Sequence, residues 1–338
     1  MMPFLLLLLT AFSCKKPLFD TASREAATAG RASPTRETSE PEGRFYATAI
    51  VFPDTVDWRQ GHSHDAKVVL WRDGKPVGSV PVGDKADPDK HLFQNGHLWT
   101  WDTTPSITSV YCDGSPAFGL LGEETFVGFL VADGAVHTLG QRAGGGFSYC
   151  VDGQTVFSSP TGVVLGQLDD PDWGGGAFCA DATGVYYAYG FPVQLPAGPV
   201  WEYRVMKGGE LISLLPALAG GEMYDIRVQE GVIYRLEERY GTMCLLKGEE
   251  LTALSLPEDS RAPHLVWADG AMQVKGYDEQ VSARYPSYRL YTHRCQVQRD
   301  GSVALALTNE ASDEHLLVVD DEEISARFNG FFTGIYLQ

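Results

Sequence analysis

The residues best placed to do chemistry are two histidines and an aspartate in the segment PDTVDWRQGHSHD, residues 53–65. His62, His64 and Asp65 lie within four positions of one another. A His-x-His pair in extended backbone puts both imidazoles on one side, where they can chelate a divalent transition metal. These three residues are weak candidates for a metal site, and a solvated polar loop is the simpler interpretation.

Two further segments are rich in aspartate: GDKADPDK at 83–90 and LDDPDWGGG at 168–176, which contains Asp170 and Asp172. Closely spaced carboxylates with backbone carbonyls suit Ca²⁺, although neither segment has the spacing of an EF-hand loop. Aspartate side chains that accept hydrogen bonds from nearby backbone amides explain both segments without a metal. We therefore expect no cofactor, with Ca²⁺ as the alternative.

Aromatic side chains in loops can offer flat surfaces for sugars or protein side chains, and Trp58, Trp173 and Tyr240 are of this kind. Arg142 lies in GQRAGGG, residues 140–146, which is glycine-rich but sits between predicted strands rather than before a helix. That context favours a loop over a phosphate cradle. The candidate binding residues are Asp54, Asp57, Trp58, His62, His64, Asp65, Arg142, Asp170, Asp172, Trp173 and Tyr240.

Sequence motifs for catalysis are missing. The chain has no G-x-S-x-G elbow, no phosphate-binding glycine loop and no H-E-x-x-H. A pair of carboxylates for glycoside hydrolysis is defined by its separation in space and leaves no sequence motif. We predict no catalytic residue and keep a glycan-active hydrolase or lyase, with carboxylates in a central funnel, as the alternative.

The elements that carry these loops are indicated by a repeated phrase, first seen as VVLWRDGK at 68–75. Later copies are SVYCDGS (109–115), SYCVDGQ (148–154), YRVMKGGE (203–210) and CLLKGEE (244–250). A second set of turns alternates with it, at glycines 96, 134, 184, 231, 270 and 301. Asn-Gly and Asp-Gly between apolar runs indicate type I′ hairpins, because both central residues need positive φ.

The alternation predicts an all-β chain of four-stranded units. A repeat of roughly 40–45 residues is typical of β-propeller blades. The segment FYATAIVF (45–52) acts as a second strand without a first, and GFFTGIYLQ (330–338) supplies the missing partner. We predict seven blades closed by this pairing, with six or eight if residues 277–328 are wrongly divided. Paired sandwiches and a β-helix fit the repeat less well.

The first fourteen residues, MMPFLLLLLTAFSC, resemble a bacterial lipoprotein signal peptide that ends at a lipidated Cys14. The apolar run is shorter than the roughly 20 residues that a transmembrane helix needs. Residues 15–43 are polar and rich in Ala, Ser, Thr and Pro, which predicts a disordered tether. The predicted domains are the signal at 1–14, the tether at 15–43 and the propeller at 44–338.

The formal net charge is −18. Such a surface repels phosphate backbones and anionic headgroups, so we expect no nucleic-acid partner, and membrane contact only through the anchor. Five cysteines follow Cys14, without a Cys-x-x-Cys pair: Cys112, Cys150, Cys179, Cys244 and Cys295. They are expected to be small buried apolar residues, with one disulfide as the alternative.

The phrase Trp71-Arg72-Asp73-Gly74, which follows the strand FYATAIVF, resembles the repeats of Bacteroidetes lipoproteins with a YWKNG-like signature. That resemblance covers residues 44–338 and implies a propeller in the cell envelope, without a settled activity. We expect an outer-membrane lipoprotein, on the periplasmic face because no acidic run follows Cys14. Its loop face is expected to bind a protein or glycan without catalysis; a scaffold in an envelope assembly is a further alternative.

Overall fold

The structure is a computed structural model of the chain. It describes residues 45–60, 65–82, 87–104, 107–121, 124–142, 145–160, 178–196, 198–215, 221–255, 261–268, 270–277, 284–299 and 302–337. The predicted signal peptide and tether lie outside these ranges, as do Cys14, His62, His64, Asp170, Asp172 and Trp173.

The described residues form antiparallel β-strands joined by turns and short 3-10 segments. In chain order the first strands are β1 (Phe45–Val51), β2 (Lys67–Arg72), β3 (Lys75–Pro81), β4 (His91–Gln94), β5 (His97–Thr103), β6 (Ile107–Cys112), β7 (Ser115–Leu121), β8 (Glu124–Ala132), β9 (Ala135–Arg142), β10 (Phe147–Val151), β11 (Gln154–Ser158), β12 (Phe178–Asp181) and β13 (Gly184–Leu195). The 3-10 turns are Trp58–Gln60, Pro88–Lys90 and His293–Cys295.

The second half of the chain continues in the same way. Its strands are β14 (Gly198–Lys207), β15 (Glu210–Leu215), β16 (Gly221–Gln229), β17 (Val232–Arg239), β18 (Thr242–Lys247), β19 (Glu250–Ala253), β20 (Arg261–Ala268), β21 (Ala271–Tyr277), β22 (Gln296–Arg299), β23 (Ser302–Leu307), β24 (Glu314–Val319), β25 (Glu322–Arg327) and β26 (Gly330–Leu337).

These strands form six four-stranded antiparallel sheets and one two-stranded sheet within the described ranges. We number them 1 to 7. Sheet 1 has the order β26-β1-β2-β3, sheets 2 to 5 take β4–β7, β8–β11, β12–β15 and β16–β19, sheet 6 has β20-β21, and sheet 7 has β22–β25. The all-β prediction and the four-stranded unit are confirmed.

The C-terminal strand completes the first sheet. Strand β26 pairs antiparallel with β1, in a register that places Phe45 opposite Leu337 and Val51 opposite Gly330. The register shifts between Thr48 and Ala49, which leaves Thr333 as the extra residue of a bulge. The predicted pairing of the two ends of the domain is therefore present.

The repeated phrase marks the turn between the third and fourth strands of a sheet. Asp73, Asp113, Asp152 and Asp320 each have left-handed backbone, with φ of 47–50°. In each case the aspartate amide donates to a carbonyl near the start of the second strand, and a carboxylate oxygen accepts that same residue's N–H. The second-strand residues are Phe45, Leu98, Val136 and Val303. This two-point clamp explains why aspartate recurs in the phrase.

A second repeated device lies on the outer strands. Four of them carry one extra residue at the third position of the strand: Val77, Ala117, Val156 and Ile212. A bulge interrupts the row of free backbone groups on an edge strand and discourages pairing with another chain. The outer strand of sheet 7 is instead rich in exposed charge, with Glu322, Glu323 and Arg327.

The core lies between the faces of consecutive sheets. One cluster joins sheets 7 and 1, where Trp71 packs against Phe328 and Phe332; others join sheets 1 and 2, 2 and 3, 3 and 4, 4 and 5, and 5 and 6. Trp71 and Trp99 are both buried in these clusters. The series of sheets returns on itself, because sheet 7 packs against sheet 1.

The stretch around sheet 6 departs most from the repeat. Pro286 and Ser287 form a turn, which is closed by a hydrogen bond from the Tyr288 N–H to the Tyr285 carbonyl. Within the described residues, no pair of strands adjoins this turn. The chain after it forms one isolated antiparallel bridge, between Arg289 and Thr308. The Tyr285 side chain instead packs against the two middle strands of sheet 7, β23 and β24.

Candidate functional site

Antiparallel connectivity sorts the connections onto two sides of the molecule. The turns between first and second strands and between third and fourth strands lie on one side. The connections between second and third strands, and those between consecutive sheets, lie on the other, which we call the loop face. The loop face includes residues 52–60, 240–241, 289–295 and 308–313.

The clearest feature of the loop face is a group of three aromatic side chains, which we call the platform: Trp58, Tyr291 and Phe331. The Tyr291 ring stacks on Phe331 at 3.9 Å between centroids, with 25° between the planes. Trp58 lies 5.5 Å from Phe331 and 6.1 Å from Tyr291. Trp58 and Phe331 are buried, whereas Tyr291 is 40% exposed. Tyr291 thus presents an aromatic surface to solvent from a rigid support.

Charged side chains surround the platform. The Arg59 guanidinium lies 4.8 Å from the Trp58 ring and contacts Asp57 at 3.2 Å and Asp313 at 3.4 Å. Its Nε donates to the carbonyl of Glu310. The Arg59 backbone N–H that Asp57 accepts, together with the Arg59 guanidinium, lowers the pKa of Asp57. Burial, reinforced by the charge of Glu310, raises the pKa of Tyr291.

One amide side chain fixes this loop to the closing strand. Asn329, just before β26, donates from Nδ2 to the carbonyls of Pro53 at 2.7 Å and Val56 at 2.6 Å. The Phe52 N–H donates to the Asn329 carbonyl at 2.8 Å. The segment that carries Trp58 is therefore held by hydrogen bonds from the opposite end of the chain.

The candidate binding residues of the segment 53–65 do not all face solvent, as a binding loop would require. Trp58 is 4% exposed and belongs to the core between sheets 1 and 2, so within the platform it packs against Phe331 and Tyr291 and offers no stacking surface of its own. Asp57 caps the 3-10 turn, and Asp54 and Asp65 are exposed. The histidines at 62 and 64 lie outside the described residues.

Tyr291, the exposed ring of the platform, was not predicted. It lies in the stretch where the repeated phrase is weakest, and three tyrosines recur there at every third position: Tyr285, Tyr288 and Tyr291. Tyr285 is buried, Tyr288 is half-buried and Tyr291 is exposed. Their spacing did not distinguish them, because burial depends on which later strands each ring meets: Tyr285 packs with β23 and β24, whereas Tyr291 stacks on Phe331 of β26.

The remaining described candidates are Arg142 and Tyr240. Arg142 is tied to its own sheet: its Nη2 donates to the Ser159 carbonyl, and its backbone bonds Gly145 and Gly146. Tyr240 lies in the two-residue turn between β17 and β18, with φ of 52° and 88% exposure. Arg142 thus closes a turn, whereas Tyr240 offers a free aromatic surface.

Three carboxylates are buried within the described ranges, and each has a structural partner. Asp113 belongs to the clamp of sheet 2, and its Oδ2 lies 2.8 Å from His97 Nδ1. Asp225 accepts the Leu265 N–H at 2.7 Å, which joins sheets 5 and 6. Glu237 lies between two arginines of its own strand.

His97, Cys112 and Asp113 form the one described group whose donor atoms are close enough to hold a metal ion. Cys112 is buried in the core between sheets 2 and 3, and both carboxylate oxygens of Asp113 already accept hydrogen bonds or contact His97. Cys150, Cys179, Cys244 and Cys295 are free thiols, and all but Cys179 are fully buried. The group is therefore better explained as part of the sheet 2 clamp.

Comparisons with known proteins find only distant likeness. No family model and no curated protein matches the chain. The β-propeller domain of the Trilobed protease from Pyrococcus furiosus, described as having an open velcro topology, aligns with a TM-score of 0.41 and 9% identity over 86% of this chain and 81% of that one. A putative exported protein from Bacteroides fragilis aligns with a TM-score of 0.28 and 10% identity over 70% of each chain.

A quinonprotein alcohol dehydrogenase-like protein from Bacteroides thetaiotaomicron aligns with a TM-score of 0.25 and 12% identity over 88% of this chain and 92% of that one. TM-scores this low do not support assigning the activity of any of these proteins to this chain. Within the described ranges, no helix has the length and apolarity needed to cross a bilayer.

Proposed function

We propose that this chain is a non-catalytic binding lipoprotein of the cell envelope. Cys14 would anchor it to the periplasmic face of the outer membrane, and the loop face would bind a glycan or a protein. We also propose that the seven sheets are the blades of a seven-bladed propeller, with β26 as the innermost strand of the first blade. Support for the propeller comes from the repeated sheets and from the packing of sheet 7 on sheet 1.

The observation that carries the binding function is the platform. A half-exposed tyrosine stacked on a buried aromatic residue offers flat contact area whose orientation is already fixed, so little conformational entropy is lost on binding. The surrounding polar groups are also held in place, since Arg59 contacts Asp57 and Asp313. This combination of an aromatic anchor and fixed polar groups is typical of recognition surfaces.

Catalysis by a pair of carboxyl groups has less support than the binding function. The buried described carboxylates Asp113, Asp225 and Glu237 each take part in a clamp, an inter-sheet bond or an ion pair. Glycoside hydrolysis would need two carboxyl groups facing each other across a substrate. None of these three is placed in that way by the contacts described above.

The binding function is tested with the full chain purified in detergent. Binding to a panel of neutral and acidic oligosaccharides, and capture of envelope proteins, are compared for the wild type, Tyr291→Ala and Leu211→Ala. Leu211 is a matched control, because it is 53% exposed on the outer strand β15. We expect Tyr291→Ala to weaken binding about tenfold or more, and Leu211→Ala to leave it unchanged.

The alternatives give different results in the same experiment. Equal binding by the two variants would remove the platform from the site. Release of new sugar ends by the wild type would identify the glycan-active hydrolase or lyase instead. The anchor is tested separately: Cys14→Ser should move the protein from the membrane fraction to the soluble periplasmic fraction, and an unchanged distribution would contradict lipidation.

A further inference from the structure

A second feature of the loop face lies in sheet 5, at the turn between β17 and β18. Tyr240 and Gly241 form this turn, with φ of 52° and 77°. The same position in other hairpins holds Asn95, Asp133 or Glu230. A bulky side chain in left-handed backbone costs on the order of 1 kcal/mol, and such strain is concentrated at functional sites. Turn formation therefore does not explain this tyrosine.

An ion cluster lies directly before the turn, on alternate residues of β17. The side chains of Arg235 and Glu237 are 5% and 0% exposed, whereas that of Arg239 is 35% exposed. Arg235 Nη1 lies 3.0 Å from Glu237 Oε1, and its Nη2 donates to the Gly248 carbonyl at 3.2 Å. Arg239 donates from Nε to Glu237 Oε2 at 2.8 Å, and its Nη2 lies 2.7 Å from the same oxygen.

The cluster holds one guanidinium in a fixed orientation at the surface. Glu237 neutralises only one of the two arginines, so the cluster carries one positive charge. The nearby Glu238 faces the other side of the strand, where the Tyr224 hydroxyl donates to it at 3.0 Å. A guanidinium that is already oriented binds a carboxylate with less loss of side-chain entropy than a free arginine does.

We propose that Arg239 and Tyr240 bind a sugar ring that carries one carboxylate, with the guanidinium on the carboxylate and the phenol ring against the sugar. The ligand has to be only weakly anionic, because a chain with a net charge of −18 repels a polyanion. This site rests on the loop face being a binding face, but it is independent of the platform and names the class of glycan.

A sugar fits the site better than a protein does. A stable protein interface buries roughly 800 Å² on each partner and surrounds its anchors with other apolar contacts. The large apolar side chains that are exposed in the described connections of this face are Tyr240 and Tyr291. An isolated ring beside one guanidinium matches the size of a single acidic sugar.

The test is calorimetric titration of the full chain in detergent with a trisaccharide that carries one glucuronate, and with its carboxyl-reduced neutral form. Three variants are compared: Arg239→Gln, Tyr240→Gly and the control Arg284→Gln. Arg284 is a matched arginine, 2.7 Å from Asp321 on the opposite side of the molecule. Tyr240→Gly removes the strained backbone, so its Tm should rise, and a loss of binding cannot then be due to unfolding.

We expect the wild type to bind the acidic form about tenfold more tightly than the neutral form, which corresponds to losing one charge-assisted bond pair. Arg239→Gln and Tyr240→Gly should each weaken binding of the acidic trisaccharide by a similar factor, whereas Arg284→Gln should leave this affinity unchanged. Failure of the wild type to bind the acidic trisaccharide would overturn the proposal, as would equal affinity for the two forms or equal weakening by Arg284→Gln.

The outcomes also separate this proposal from the proposed function. Loss of binding with Tyr291→Ala but not with Arg239→Gln would overturn the site in sheet 5 and leave the binding function standing. Capture of an acidic protein segment that depends on Arg239, without binding of the trisaccharide, would overturn the sugar assignment.

Discussion

At the scale of single residues, the aspartate of each outer turn has two functions that substitutions can separate. Asp152 tolerates left-handed backbone, and its carboxylate accepts the Val136 N–H at 2.8 Å. Asn keeps both properties, Gly keeps the backbone freedom, and Ala keeps neither. We expect Asp152→Asn to be nearly neutral, Asp152→Gly to cost about 1 kcal/mol and Asp152→Ala to cost about 2 kcal/mol. Chemical denaturation measures the free energy of unfolding of each variant. Equal losses of stability in Asp152→Gly and Asp152→Ala would contradict the prediction.

The turn of sheet 7 departs from the Asp-Gly pattern and should be improved by restoring it. Asp320 and Asp321 both have positive φ, 48° and 68°. Asp321→Gly should stabilise the protein by about 1 kcal/mol, because glycine adopts this backbone without strain. The Arg284 ion pair that is lost is exposed to solvent and screened, so it offsets little. Asp321→Ala is the control and should not stabilise; a Tm that falls with Gly would contradict the prediction.

At the scale of elements, the segment that carries Trp58 is expected to depend on Asn329. Its amide donates to the carbonyls of Pro53 and Val56. Asn329→Ala removes these bonds, and Asn329→Asp should be worse, because a carboxylate would face the same carbonyl oxygens without a proton to donate. Hydrogen exchange of residues 53–60 should therefore increase in the order wild type, Ala, Asp. Unchanged exchange in both variants would contradict the role of Asn329.

The pairing of the first and last strands can be tested through one glycine. A Cβ at Gly330 would lie 1.9 Å from the Ile50 carbonyl oxygen, a backbone atom that cannot move aside. Gly330→Ala should therefore cost about 3 kcal/mol or more, because β26 cannot keep its register with β1. Gly209→Ala is the matched control: its nearest contact is 3.4 Å, to the Val156 side chain. Equal thermal stability of the two variants would contradict this account.

The elements were predictable from the sequence to the extent that their signals were local. Asp-Gly and Asn-Gly turns between alternating apolar runs predicted most hairpins, and the unpartnered strand at 45–52 predicted closure by β26. The clamp was missed, because it joins Asp73 to Phe45, 28 positions earlier. Trp58 was misjudged for a similar reason: whether a loop tryptophan is buried depends on Phe331, which only the closing strand brings near.

At the scale of the whole molecule, the closure of the series of sheets includes a fully buried histidine. His91, at the start of sheet 2, lies with Nε2 2.6 Å from Thr333 Oγ1 of β26, and Thr333 donates to Thr48 of β1 at 3.0 Å. Arg294, before sheet 7, donates to the His91 carbonyl at 2.6 Å. One imidazole thus lies where sheets 1, 2 and 7 meet.

The environment of His91 makes stability dependent on pH. Burial, followed by the charge of Arg294, lowers the pKa of His91 well below 6.5, and burial also lowers the pKa of His137 and of His315. Below pH 6.5 these histidines therefore bind more protons in the unfolded chain than in the folded chain. The stability that these residues contribute is complete above pH 6.5 and is lost as the pH falls toward their folded pKa values. For His91, whose pKa is lowered most, the loss approaches about 1.4 kcal/mol per pH unit.

The prediction is that the Tm of the full chain falls between pH 7.5 and pH 5.5, and that His91→Gln reduces this fall. A glutamine amide can still donate to Thr333 but does not titrate. The lowered pKa values of Asp57 and Asp181 start from 3.8 and act below this window, so carboxylates do not obscure it. Relief of self-repulsion as the net charge of −18 declines acts on both proteins alike and cancels in the difference. Parallel curves for wild type and His91→Gln would show that the imidazole at the closure does not set the acid stability.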